Sequence, residues 1–199
     1  ALAAELGIWL HVGSLAIKVG PGKVANRAYV IDPKGAIAAS YDKIHLFDVQ
    51  LANGEDYKES ATVAPGGRLA AVDLPWGRLG LSICYDIRFP HLYRALAKAG
   101  CAFIAIPAAF TRTTGEAHWH ILQRARAIET GAFVISAAQG GRHANGRQTF
   151  GHSLIVGPWG EILAEAGTDP CVIVADIDPA EVATVRGRIP SLTHDRPFA

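Results

Sequence analysis

Two overlapping stretches of this 199-residue chain repeat one pattern: an apolar run of strand length, a segment with apolar residues at helical spacing, a glycine, and another apolar run. In the first, residues 79–84 lead to 90–99, where Leu92, Ala95, Leu96 and Ala99 recur at helical spacing, and Gly100 precedes the apolar run 101–106. The second continues from that run into 116–130, with Ile121, Leu122, Ala125 and Ile128 on one face, then Gly131 and the run 132–138. A glycine just past the last periodic residue stops a helix because it alone enters the left-handed region without strain. Strand, helix, strand in succession demands a parallel pair with its crossover helix packed on the sheet.

Around these units the signals are hairpins. Runs at 28–31 and 36–39 flank Asp32-Pro33-Lys34-Gly35, runs at 69–74 and 79–84 flank Pro75-Trp76-Gly77, and runs at 153–156 and 161–164 flank Gly157-Pro158-Trp159-Gly160. A further strand is expected at 8–15, a last strand at 172–177, and a short helix at 179–186 after an Asp178 cap. Residues 48–67 and 139–150 are polar and aperiodic, hence long loops, and the Pro-broken tail 188–199 is extended. The expectation is one α/β domain with mixed sheets and helices on their outer faces.

Composition excludes several functions. Nineteen Lys and Arg against 18 Asp and Glu give a net charge of +1, and no basic run exists, so nucleic acid is not an expected partner. The longest apolar run, 101–110, contains Pro107 and falls well short of the roughly 18 residues a membrane span requires. Three cysteines, with Cys101 and Cys171 in apolar, strand-like settings, suggest buried thiols in a reducing compartment, and the cytoplasm is expected. The chain has no Met and opens on a helix-like run, residues 1–6, without a capping residue before it; it is expected to begin inside an element.

Three positions suit chemistry. Cys84 ends an apolar strand and is followed by Tyr85-Asp86-Ile87-Arg88-Phe89-Pro90 leading into a helix, a turn whose backbone N–H groups favour a thiolate and an oxyanion. Lys43 stands among apolar neighbours in Tyr41-Asp42-Lys43-Ile44-His45-Leu46-Phe47, and Glu59 lies in the first long loop. Taken singly, each also has a plain reading: a core thiol, an exposed strand-end lysine, a solvated carboxylate. His118 and His120 stand two apart on a helix and point to different faces. His143 and His152 lack paired cysteines or a His-Glu-x-x-His spacing, so neither a metal site nor a cofactor is expected.

Read together and in order, Lys43 in its heptapeptide, Tyr57-Lys58-Glu59 with Pro65-Gly66 beyond it, and Gly80-Leu81-Ser82-Ile83-Cys84-Tyr85-Asp86 resemble the carbon–nitrogen hydrolase (nitrilase) superfamily. The likeness continues through Gly115-Glu116-Ala117-His118-Trp119, Ala137-Ala138-Gln139-Gly140-Gly141-Arg142-His143, Gly151-His152-Ser153 and Pro158-Trp159-Gly160. It is closest to the branch of deaminated-glutathione amidases and omega-amidases. The resemblance implies a four-layer αββα sandwich over a single domain, residues 1–199, that pairs into a homodimer or larger homo-oligomer. It implies hydrolysis of a small carboxylate-bearing amide through a thioester on Cys84, with Lys43 and the Tyr85 N–H on the oxyanion and Glu59 as the auxiliary glutamate. The superfamily's general base is a different Glu, on a strand that would precede Ala1. The expectation is therefore a chain lacking its N-terminal strand–helix–strand, inactive or feebly active by itself. For the substrate carboxylate the expected clamp is Arg112, with Arg142 and His143 as second choice, while Arg88 is expected in a structural ion pair. A non-catalytic binding module of the same fold, and nitrile hydrolysis or acyl transfer on the same Cys–Lys–Glu set, remain open alternatives.

Overall fold

A computed structural model describes residues 2–51, 54–144 and 146–196. Ala1, Ala52, Asn53, Asn145 and the end of the tail, 197–199, lie outside the described residues. In chain order the elements are α1 (Leu2–Leu6), β1 (Leu10–Gly20), β2 (Lys23–Ile31), β3 (Ile37–Asp42), β4 (Asp48–Gln50), β5 (Asp56–Lys58), β6 (Val63–Ala64), β7 (Ala71–Leu74) and β8 (Gly77–Leu81). They continue with α2 (Pro90–Lys98), β9 (Cys101–Ala105), α3 (Arg112–Thr130), β10 (Phe133–Ser136), β11 (Gly140–Arg142), β12 (Gln148–Phe150), β13 (Leu154–Val156), β14 (Ile162–Glu165) and α4 (Ala180–Arg188).

The two crossover units build the centre of a six-stranded sheet ordered β14-β13-β10-β9-β8-β7. Its three middle strands are parallel, and the Pro-Trp-Gly hairpins add antiparallel strands at both edges. Strand periodicity divides their side chains. Ile104, Ile106, Val134, Leu154 and Val156 meet Leu92, Tyr93 and Leu96 of α2 and Trp119 and Ala127 of α3. Leu79, Leu81, Phe103, Ala105 and Phe133 face the other way, onto Ala28, Val30 and Tyr41 of a second sheet in which β2 lies between β1 and β3 and also pairs with β6. Helix, sheet and sheet thus stack as expected for an αββα sandwich. Over the outer face of the second sheet, no long helix is found among the described residues. No helix among the described residues is long and apolar enough to cross a membrane.

Several expectations are corrected. Residues 172–177 form no strand: Val172 and Val174 are 88% and 81% exposed, with no sheet face among the described residues to receive them. Cys171, expected to be buried, is exposed. The two polar loops each contain a short antiparallel hairpin, β4–β5 and β11–β12, whose strands of three residues are too short for an alternation to stand out from the polar sequence around them. Helix α3 begins four residues before the expected start, because Thr111 accepts a hydrogen bond from Thr114 N–H and caps it. The face of α3 is also reversed. Ile121 and Ile128 are 70% and 53% exposed, whereas Gln123, Arg126 and Thr130 are buried. Their bonds offset most of the cost of burial: Ser136 Oγ donates to Gln123 Oε1, Arg126 Nε donates to Ile87 O, and Thr130 Oγ1 donates to Arg126 O, while Gln123 Nε2 is buried without a hydrogen-bond partner among the described residues.

Candidate active site

Sheet β8 runs on past Leu81 in extended form, and Cys84 N–H donates to Pro107 O at 2.9 Å before the chain turns sharply. Cys84 itself has φ 51°, left-handed for a non-glycine residue, and opens a 3-10 turn, Cys84–Arg88. Such strained positions concentrate at functional sites. The first N–H groups of a helical turn lack partners within the turn, so the amide after Cys84 belongs to the class that can receive an anion.

Asp86, two residues on, fixes this turn. Its carboxylate is fully buried and accepts from Ile83 N–H (2.9 Å), Tyr41 OH (2.8 Å), His45 N–H (3.0 Å) and His45 Nδ1 (2.7 Å). One side chain therefore joins the Cys84 turn to the segment bearing Lys43. Burial, with Asp86 beside it, pushes the Tyr41 phenol far above its ordinary range and keeps it a donor. Arg126 Nε, donating to Ile87 O at 2.7 Å, ties the same turn to α3. Nothing in the residue type of Asp86 marked it out; its place within the Cys84 motif was the available signal.

Lys43 is 2% exposed, and its Nζ lies 2.6 Å from Glu59 Oε2. The same carboxylate oxygen accepts from Phe47 N–H at 2.6 Å, and Glu59 Oε1 accepts from Asn26 Nδ2 at 3.4 Å. The backbone of Lys43 is held on both sides, its N–H donating to Asn26 O and its carbonyl accepting from Gly66 N–H. A buried ammonium costs several kcal/mol without a partner, so Lys43 and Glu59 stand or fall as a pair.

Lys43, Glu59, Cys84 and Tyr85 line one open cavity of about 790 Å³, which Cys171 and Arg147 also line. The expected carboxylate clamp does not reach it. Arg112 is exposed and bonds Glu116 (2.8 Å) and Gln148 (3.4 Å), and Arg142 is exposed on β11. His143 borders a smaller adjoining depression shared with Gln139 and Arg147, where its Nε2 lies 2.7 Å from Thr149 Oγ1. Arg147, which sequence reasoning missed in the β11–β12 connection, is the arginine on the wall of the main cavity, its guanidinium 5.4 Å above the Tyr57 ring and donating to Ala109 O. Arg88 meets aromatic faces rather than a carboxylate, 5.4 Å from the Phe110 ring centre, and burial lowers its pKa.

A half-buried thiol, a buried lysine paired with a glutamate and the turn residue Tyr85 thus line one cavity. The chain belongs to the carbon–nitrogen hydrolase family, whose profile matches residues 1–187. It is 41% identical over 198 residues to the deaminated glutathione amidase of Yersinia enterocolitica, covering 98% of this chain and 69% of that protein. It is 40% identical over 195 residues to human omega-amidase NIT2, covering 98% and 70% respectively. The crystal structure of the Caenorhabditis elegans NitFhit protein superposes with a TM-score of 0.89 at 40% identity, over 98% of this chain and 48% of that one. The chain thus spans about two thirds of the curated relatives and half of the structural one.

Proposed function

We propose that this chain carries the Cys–Lys–Glu part of an amidase that converts a small linear amide bearing a remote carboxylate to its acid and ammonia. The observation that supports this reading is the shared cavity wall of Cys84 and the Lys43–Glu59 pair. Cys84 Sγ attacks the amide carbonyl. The oxygen that gains charge is met by Lys43 Nζ and the Tyr85 N–H, while Glu59 holds Lys43 in place. Collapse of the tetrahedral adduct breaks the C–N bond, ammonia leaves carrying the proton that the Cys84 thiol gave up on attack, and water then cleaves the thioester, its OH going to the acid and its H back to the thiol. Arg147 takes the remote carboxylate, the role first expected of Arg112 or of Arg142 with His143, because a guanidinium on the cavity wall can pair bidentately with it. The names of the amidase relatives favour this substrate class. Three free thiols suit a reducing cytoplasm, and the exposed Ile121 and Ile128 suit a homodimer.

Incubation with a dicarboxylic acid monoamide, followed by intact-protein mass spectrometry and ammonia assay, tests the assignment. An acyl adduct mapped to Cys84, with ammonia release lost in Cys84→Ser, is expected. Alkylation that labels Cys84 no faster than Cys101 and Cys171, with no adduct, would overturn it in favour of a binding module.

A further inference from the structure

Away from the cavity, three side chains from distant parts of the chain converge. His120 on α3 and His152 between β12 and β13 both meet Glu165 of β14, and Glu165 Oε1 lies 2.8 Å from His120 Nε2 and 2.8 Å from His152 Nδ1. The two imidazoles are 5.5 Å apart at 68°. The three potential ligand atoms lie within 4.8 Å of one another, with the histidines half-buried and Glu165 exposed. Sequence spacing hid this cluster, because its pairs with Glu165 span 45 and 13 residues and the motif rules look along one element.

The framework holding these groups is rigid. Trp119, adjacent to His120 and fully buried, donates Nε1–H to His152 O at 2.7 Å, and His152 N–H donates to Gly167 O at 2.9 Å. The Phe150 ring stacks on His152 at 4.3 Å and meets His120 edge-on at 5.8 Å. His152 has φ 55°, and the other non-glycine residue with positive φ among the described residues is Cys84. Burial disfavours the charged form of Glu165, but the bonds from His120 and His152 outweigh it and hold the carboxyl below its usual range.

We propose that His120 Nε2, His152 Nδ1 and the Glu165 carboxylate form a binding site for one Zn²⁺ ion, with water completing a tetrahedron on the exposed side. Two imidazoles and a carboxylate are a borderline donor set that zinc accepts, at roughly 2.0–2.2 Å per bond. Bonds of that length place ligand atoms about 3.4 Å apart, so Glu165 Oε1 has to withdraw from each histidine by about 0.6 Å, and the two histidine nitrogens, within 4.8 Å of each other, have to take up the same spacing by rotation of their side chains. Zn²⁺ takes the place of the protons now shared with Glu165: a neutral ring carries its single proton on the nitrogen away from the metal after exchange with water, and a protonated ring releases one proton to solvent, so each imidazole coordinates neutral. The ion would clamp α3 to the β13–β14 hairpin, and the next residue, Ser153, forms part of the cavity wall.

Metal-free protein is titrated with Zn²⁺ by calorimetry and with Co²⁺ by absorption, and its melting temperature is recorded with and without Zn²⁺. One equivalent is expected to bind at micromolar Kd or tighter, with a tetrahedral Co²⁺ visible spectrum free of sulfur-to-metal charge transfer, and to raise the melting temperature. Glu165→Gln and His152→Asn, the latter chosen because Asn tolerates positive φ, should each weaken binding at least tenfold and abolish the thermal shift. Circular dichroism of the metal-free variants checks that they fold, and if either does not, His120→Gln on the helix surface supplies the comparison. Absence of saturable one-to-one binding, unchanged affinity in the folded variants, or a thiolate charge-transfer band assigning the metal to Cys84 or Cys171 would each overturn the site.

Discussion

Asp86 receives four hydrogen bonds, from Tyr41, Ile83 and twice from His45, in a fully buried place. An amide there keeps the shape but turns one acceptor into a donor facing other donors. Asp86→Asn is therefore expected to lower stability by about 2–3 kcal/mol, read as a reduced urea midpoint at unchanged slope. Because the same bonds hold the Cys84 turn to the Lys43 segment, alkylation of Cys84 at neutral pH should slow as well. Substitution of Tyr41→Phe, which removes one of the four, should reproduce a fraction of both effects. Unaltered stability in Asp86→Asn would show that the carboxylate is not what joins the two segments. That Cys84, Lys43 and Glu59 belong together was legible because residue type and motif order spoke together, and the three line one cavity. Arg147 was not, since an arginine in a polar connection has nothing local that aims it at a cavity. Asp86 stood in plain view within the motif, yet its role depends on Tyr41 and His45, 45 and 41 residues away.

At the scale of elements, the apolar runs of β8, β9 and β10 were read correctly because burial between helices and a second sheet forces them, whereas the run 172–177, which nothing covers among the described residues, misled. Helix α3 escaped that logic at both its start and its face, since a threonine cap and internally bonded Gln123 and Arg126 put polar residues where apolar ones are expected. Its first turn also carries a steric demand. A Cβ on Gly115 would fall 2.3 Å from Phe150 Cβ and Cγ, so α3 approaches β12 only with glycine there. Gly115→Ala should cost about 1–3 kcal/mol by overpacking despite alanine's better helix propensity, a sign measurable by thermal melting. Strand β1 supplies a pH effect. His11 has its Nε2 buried without a hydrogen-bond partner among the described residues, and burial lowers its pKa from 6.5 to about 4. As pH falls below 6.5 the unfolded chain takes up this proton before the folded one does, so stability is lost between about pH 6.5 and 4, by as much as roughly 3 kcal/mol. His11→Gln should flatten the dependence of the urea midpoint on pH across that window; an identical slope would assign the loss to other groups.

For the molecule as a whole, the reversed face of α3 becomes the informative surface. Ile121 and Ile128 stand out from the helix, and Trp159, 53% exposed, lies on the turn between β13 and β14. Helix and turn are in contact: a Cβ on Gly160 would meet Ile128 Cδ1 at 2.6 Å, and Arg124 Nε donates to Gly160 O. The patch is therefore continuous from Ile128 to the hairpin, and a domain that stays monomeric rarely leaves such apolar surface bare. Periodicity made the apolar stripe on α3 legible, but a stripe reads the same whether a sheet or a second chain covers it, and in the fold the sheet takes the opposite side. A second copy meeting this patch across a two-fold axis would bury both Ile121 side chains at once, since a two-fold interface uses the same surface twice. Sedimentation equilibrium of the chain should then give twice 21.1 kDa. Ile121→Arg, which sets two like charges against each other across the axis, should return 21.1 kDa with an unchanged circular dichroism spectrum. A parent that sediments as a monomer at 100 micromolar, or a variant that remains dimeric, would remove α3 from the interface and leave the exposed isoleucines without a partner of this kind.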